Sequence, residues 1–423
     1  MKPLLSFFIC LSAFCNQAVA QVADRLTLSD CYTLARHNYP LVKERDLIAR
    51  TADYTIENIQ TGNWPQLTVS GQASYQSAVT EIPVKMPGFE IPSLSKDQYK
   101  LYGEVTQTVY DGGAVKWQKQ VQKSIEETQQ RELESTLYQL HNRINQLFFG
   151  VLLIDEELKQ NALFDADIQS GLNRIQAMVD NGTALKSNAD VLKADLLKNR
   201  QHTIELHAAR KTYTAMLGVF TGKDITDQTM LAKPPPGNVS PQISRPELLL
   251  YDARNKSLDA RQQLLSAKLQ PRLALFLQGG AGRPALNFLS NHFEAYYIAG
   301  LRLIWTPSAW YTIKKEKAII GLNKKDIDLQ KETFLFNTGL EMSQQRSDMA
   351  KYSDLLSSDD EIIELRNHVK TASLAQLENG VISSSDYLRE VNAEDQARQN
   401  KILHEIQLLT AGYMLQTITG NQQ

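Results

Sequence analysis

From Leu133 the apolar residues Leu133, Leu137, Leu140, Ile144, Leu147, Val151, Ile154 and Leu158 follow one another in alternating steps of four and three. That is a heptad seam, the mark of a helix that buries one narrow stripe against another helix. No proline interrupts the chain from about Val115 to Val179. About 65 helical residues would span roughly 98 Å, where a globular helix makes about three turns. A second proline-free stretch runs from Trp310 to Leu377. Helices of this length belong to coiled coils or to something built like one.

Another stretch is written twice. "VDNGTALKSNADVLKAD" begins at Val179 and "LENGVISSSDYLRE" at Leu377; Gly182 and Gly380 lie 198 residues apart, as do the starts of "MLGVFTG" at Met216 and "MLQTITG" at Met414. Gly103 and Gly300 are 197 apart, and "NWPQL" from Asn63 resembles "LQPRL" from Leu269. A period near 200 is far too long for a solenoid of short repeats. It marks a duplicated half, 21–232 and 245–423, joined by a breaker-rich linker at 233–244 that contains "KPPPGNVSP". An Asn-Gly pair ending a helical stretch is a C-cap signal. Hydroxylated residues in "ALKSNAD" and "SSSD" would then cap the returning helix. Each half thus predicts a helical hairpin, about 112–220 and 310–418, with its tip at the Asn-Gly pair.

Between helices the period changes to two. Leu67, Val69, Gly71, Ala73 and Tyr75 alternate with Thr68, Ser70, Gln72, Ser74 and Gln76. In the second half Phe293, Ala295, Tyr297, Ala299, Leu301, Leu303 and Trp305 share a face opposite Glu294 and Arg302. The pattern predicts strands at about 66–77, 98–110, 271–282 and 292–306, long enough to cross a bilayer. Tyr75, Tyr99, Tyr110, Tyr297 and Trp305 lie near the segment ends, where an aromatic girdle would sit. Four strands do not close a barrel, and open edges are not tolerated in hydrocarbon. Further copies of the chain would have to supply the rest.

The first twenty residues, MKPLLSFFICLSAFCNQAVA, combine Lys2, an apolar run and Ala18-Val19-Ala20. That is the layout of a secretory leader, 1–20. Without it the three cysteines fall to Cys31 alone, which excludes a disulfide scaffold. The net charge of −2 becomes −3 without Lys2, giving no argument for a nucleic-acid partner. No later run approaches twenty apolar residues, so any membrane passage would be made by strands.

Over essentially the whole mature chain this order resembles the TolC-like outer-membrane efflux proteins. The resemblance rests on "LTLSDCYTLARHNYPLV" from Leu26, "NWPQLTVSGQASY" from Asn63, "GEVTQTVYDGG" from Gly103, and the two tip motifs. It implies a mostly α chain with membrane β. Three copies would build a twelve-stranded outer-membrane barrel continuing into a periplasmic α-helical barrel. It also implies the partners: a homotrimer in outer-membrane lipid, a periplasmic adaptor protein, and an inner-membrane pump reached through that adaptor. The adaptor-contacting tips would be Asn181, Gly182, Thr183 and Leu185, with Asn379, Gly380, Val381 and Ile382. The family's entrance carries an acidic ring from a pattern like D-x-L-D. Here Asp386 matches the first acid and Arg389 stands where the second would be. "VYDGG", from Val109, is replaced in the second half by "TPSAW", from Thr306.

Other readings compete. An Asp in the first turn of a helix ordinarily caps it. The seam alone would fit a periplasmic coiled-coil tether without a pore, and the strands a soluble sandwich. Chemistry has little support. His202 and His207 lack H-E-x-x-H spacing, and "SLSK" from Ser93 has no S-D-N or K-T-G beside it. "GGAG" from Gly279 fits no phosphate cradle, and the Asn181-Gly-Thr183 sequon lies at a tip. The expectation is no enzyme and no cofactor.

Overall fold

The computed structural model describes residues 25–80, 88, 94–237, 240–287 and 289–421. The expected leader and the middle of the expected loop at 77–96 lie outside the described residues. In chain order the elements are α1 (Leu28–Asn38), α2 (Glu44–Gln60), β1 (Gln66–Tyr75), β2 (Asp97–Tyr110), α3 (Ala114–Tyr138), α4 (Leu140–Asp180) and α5 (Lys186–Thr221). They continue with α6 (Pro246–Ala267), β3 (Arg272–Arg283), β4 (Glu294–Ile304), α7 (Trp310–Glu378) and α8 (Ser384–Thr419).

Helix α7 is continuous for 69 residues. The corresponding part of the first half is divided at Gln139, an interruption that periodicity does not signal. Gln139 keeps helical dihedrals, φ −63° and ψ −18°. Its N–H donates to the Thr136 carbonyl at 3.2 Å, three residues back instead of four. The turn is tightened, not reversed, and the seam runs through it: Leu133, Leu137, Leu140, Ile144, Leu147, Val151 and Ile154 are all buried.

Two compact units share these elements. One holds the described residues up to Ala35, with Ile144–Pro236 and Leu356–Ile406; the other holds Arg36–Arg143, Gly237–Leu355 and the chain from Gln407.

The second unit contains the sheet. Its four strands pair antiparallel in chain order, β1 to β4, so the outer edges of β1 and β4 have no partner among the described residues. The register sets Leu67 beside Val105, Val105 beside Leu277, and Leu277 beside Ala299. One face therefore carries Leu67, Val69, Leu101, Leu275, Leu277, Leu301 and Leu303, each between 47 and 70% exposed. A large exposed apolar patch of this kind marks a surface that water does not normally meet. The opposite face carries Thr68, Glu104, Thr106, Gln278 and Arg302. There Arg302 donates to Glu104 at 2.8 Å and lies 4.6 Å over the Phe276 ring. Gly280 of the "GGAG" run faces Tyr102: a Cβ there would come within 2.4 Å of the Leu101 carbonyl oxygen. The strands can lie this close only because that position has no side chain. Tyr75 and Tyr99 stand at one end of the sheet and Tyr110 at the other, with Trp305 just past β4 there; Tyr297, expected near an end, instead lines up with Gly279, Gly103 and Val69 well inside the sheet. Beyond β2, Asp111 accepts from the N–H groups of Gly113 (2.7 Å) and Val115 (2.6 Å), starting α3.

In the first unit Arg210, whose side chain is 8% exposed, pairs with Asp155 at 2.5 Å. It also donates to the carbonyls of Asp227 (2.8 Å) and Thr229 (3.0 Å), tying the connector after α5 to the helices. Cys31 is fully buried, and burial pushes its thiol up to about 12.

Candidate functional site

The two hairpin turns close alike. At the end of α4, Gly182 takes φ +71°. Its N–H donates to Val179 O at 3.0 Å, and Thr183 N–H to Met178 O at 2.8 Å. At the end of α7, Gly380 also takes φ +71°. Its N–H donates to Leu377 O at 3.0 Å, and Val381 N–H to Gln376 O at 2.9 Å. Both are left-handed glycine caps that satisfy the last helical carbonyls. Asn181 and Asn379 precede them, each N–H still bonded four residues back, to Ala177 and Ala375.

The returning helices start differently. On α8, Ser383 N–H and Oγ–H both donate to Asp386 Oδ2, at 3.2 and 2.7 Å, and Asp386 N–H donates to Ser383 Oγ at 3.2 Å. This is a reciprocal capping box with Asp in place of Glu. The same arrangement recurs at Thr27 and Asp30, opening α1. On α5 the hydroxyls of "ALKSNAD" do not cap. The N-cap is Leu185, with no side-chain bond and 72% exposure. Thr183, the nearby hydroxyl, already donates to Met178 O at 3.0 Å. Leu185 and Val381, 71% exposed, are the apolar points of the two tips, whereas Ile382 packs inward.

Asp386 and Arg389 come together on the second tip. Arg389 Nη1 lies 3.9 Å from Asp386 Oδ1, and its Nε donates to Glu390 Oε1 at 3.1 Å. Arg366 of α7 closes the group, 3.5 Å from Glu390. Two acids and two bases thus form a cluster of zero formal charge. The bond from the Ser383 hydroxyl, aided by its N–H and by Arg389, holds the Asp386 carboxyl below the usual range. Glu390 and Arg366 have no motif of their own, because their pairing joins residues from different helices.

Behind the tips α4, α5, α7 and α8 share one apolar core of Ile168, Ile175, Leu192, Leu196, Leu377, Tyr387, Leu388 and Val391. Tyr387 lies against Gly171, where a Cβ would stand 2.9 Å from the ring. A glycine inside a long helix is the sequence signal for that contact. Next to this core Lys370 bridges Asp167 (2.8 Å) and the buried Glu394 (3.4 Å). Gln160 donates to Asp395 at 2.8 Å, and burial raises the Asp395 carboxyl despite that bond. Among the described residues no His, Cys, Asp and Glu cluster is arranged for a metal ion. No described helix is long and apolar enough to cross a membrane.

No family model matches the sequence, and no curated relative matches it. Solved structures do. The outer-membrane channel OprN superposes with a TM-score of 0.66 at 12% identity, covering 93% of this chain and 90% of that one. The CmeC outer-membrane channel of Campylobacter jejuni gives 0.64 at 14%, covering 93% and 85%. The open state of the MtrE outer-membrane channel of Neisseria gonorrhoeae gives 0.63 at 11%, covering 93% and 88%. The chain therefore has the fold of the TolC-like outer-membrane channels. At these identities the fold is what is shared.

Proposed function

We propose that this chain is the outer-membrane duct of a tripartite efflux or secretion system. It would conduct passively what an inner-membrane pump delivers through a periplasmic adaptor. The carrying observation is the sheet, whose one face is apolar and exposed while both outer edges lack partners among the described residues. In hydrocarbon such edges cost several kcal/mol per unpaired group, so closure is required. Three copies would close it at twelve strands, the number the family resemblance implies. In this reading the tips at Asn181–Leu185 and Asn379–Ile382 meet the adaptor, and Asp386 with Arg389 contributes to the periplasmic gate.

Planar-bilayer conductance of the detergent-purified protein tests this, beside the double variant Asp386→Asn, Arg389→Ala. Discrete steps whose size or ion preference changes in the variant are expected. Identical steps would remove the gate from these residues and leave the duct standing. A protein that stays soluble without detergent and never inserts would return the chain to the periplasmic tether.

A further inference from the structure

At the end of the sheet where β2 and β4 hand over to α3 and α7, the chain becomes basic. Helix α3 opens with Lys116, Lys119 and Lys123 and meets no acid before Glu126. Helix α7 opens with Lys314, Lys315 and Lys317, and its one acid there, Glu316, faces Lys268 at 3.9 Å. Among the described residues none of these six lysines has a carboxylate within ion-pair distance, and Lys116 instead lies 5.5 Å over the Trp117 ring. Three lysines farther from the sheet are paired. Lys256 is paired with Glu127 at 3.3 Å, Lys331 with Asp252 at 3.0 Å, and Lys324 with Asp259. At the opposite end of the sheet Arg283 is paired with Asp97. Lys96 and Lys100, near that opposite end, have no ion pair among the described residues either, so what marks the helical end is the grouping of six such lysines at two strand-to-helix junctions.

The side on which the α7 lysines lie follows from Trp305. It directly follows β4, in step with Leu301 and Leu303 in the sequence alternation, and its indole N–H donates to Leu269 O at 3.1 Å. Its ring meets Trp310 edge-on at 5.7 Å. Trp310, Lys314 and Lys317 are spaced i, i+4 and i+7, so they occupy one stripe of α7. The order along that side is apolar sheet, paired indoles, then ammonium groups. Hydrocarbon, interface and charged headgroups of a bilayer present the same order.

We propose that Lys314 and Lys317 hold anionic phospholipid headgroups of the leaflet next to the helices. The inference rests on the reading of the sheet as membrane-embedded. Lysine stems lie along apolar surface and carry the ammonium to the phosphate layer, and each cation near an anionic surface adds attraction that salt screens. Glutamine at the same positions keeps length and polarity but removes the charge.

The test is tryptophan quenching of the full-length protein in vesicles of brominated phosphatidylcholine containing increasing brominated phosphatidylglycerol. The wild type is expected to prefer the anionic lipid about tenfold at low salt, with the preference falling as salt rises. Lys314→Gln with Lys317→Gln is expected to abolish it and leave quenching by the neutral lipid unchanged. Equal affinity for both lipids in the wild type, or an unaltered preference in the variant, would overturn the proposal. So would a change in channel ion selectivity with lipid preference intact, which would place the lysines on the conducting side. No quenching by either lipid would instead sink the membrane-embedded sheet on which the proposal stands.

Discussion

Two residues show how differently a charge can be held in this chain. Arg210 is buried and fully engaged, by Asp155 and two connector carbonyls. Arg210→Met should cost about 3–5 kcal/mol, because Asp155 is left without its partner. Denaturant titration of the detergent-solubilised protein would show it, and adding Asp155→Leu should recover part of the loss. Asp386, by contrast, is half-exposed and acts through its cap. Its folded carboxyl is held below the ordinary value, mainly by Ser383. The cap's contribution is therefore complete above about pH 4 and is lost as pH falls through the depressed value. Hydrogen exchange at the second tip should rise on acidification relative to the first, whose Leu185 cap does not titrate. The ratio between tips cancels the intrinsic pH dependence of exchange, and a constant ratio would refute the role. Ser383→Ala should remove the step and destabilise the start of α8 by about 1 kcal/mol.

Among the elements, the strands carry the clearest division of labour. Leu277 and Gln278 are neighbours in β3 that face opposite sides of the sheet. Leu277→Arg should reduce the stability of the inserted protein by about 2–4 kcal/mol if that face meets lipid. Gln278→Arg, which sets the new cation beside Glu104 in the register, should be tolerated. Urea-dependent folding into vesicles measures both, and equal penalties would remove the distinction between a lipid face and a wet face. Alternation made these faces readable in advance, because a strand's side-chain period is fixed by backbone geometry. The helix seam was readable for the same reason, with its period near 3.5. The interruption at Gln139 was not, since it is a hydrogen-bond shift with no breaker residue. Nor was the missing side-chain cap on α5: whether a hydroxyl caps a helix or closes the preceding turn depends on the turn's geometry.

For the whole molecule the decisive number is the count of copies. Four strands whose two outer edges have no partner among the described residues predict an assembly, and three copies satisfy the proposed barrel. Light scattering with detergent correction should report a trimer of the chain, and a stable monomer that still inserts would contradict the closure argument. Mass measurement of the exported protein should find its first residue at Gln21 if the leader is removed after Ala20.

By itself the sequence determined what is periodic, local or repeated. The long helices, the alternating strands and the tip glycines are set by backbone periods and by φ > 0 at Gly182 and Gly380. Only the tertiary structure decided which distant charges meet. Lys370 spans Asp167 and Glu394, Arg366 of α7 meets Glu390 of α8, and Trp305 meets Trp310 where strand gives way to helix. Such contacts join residues from different elements. Their energies depend on distance and burial, which no spacing along the chain encodes.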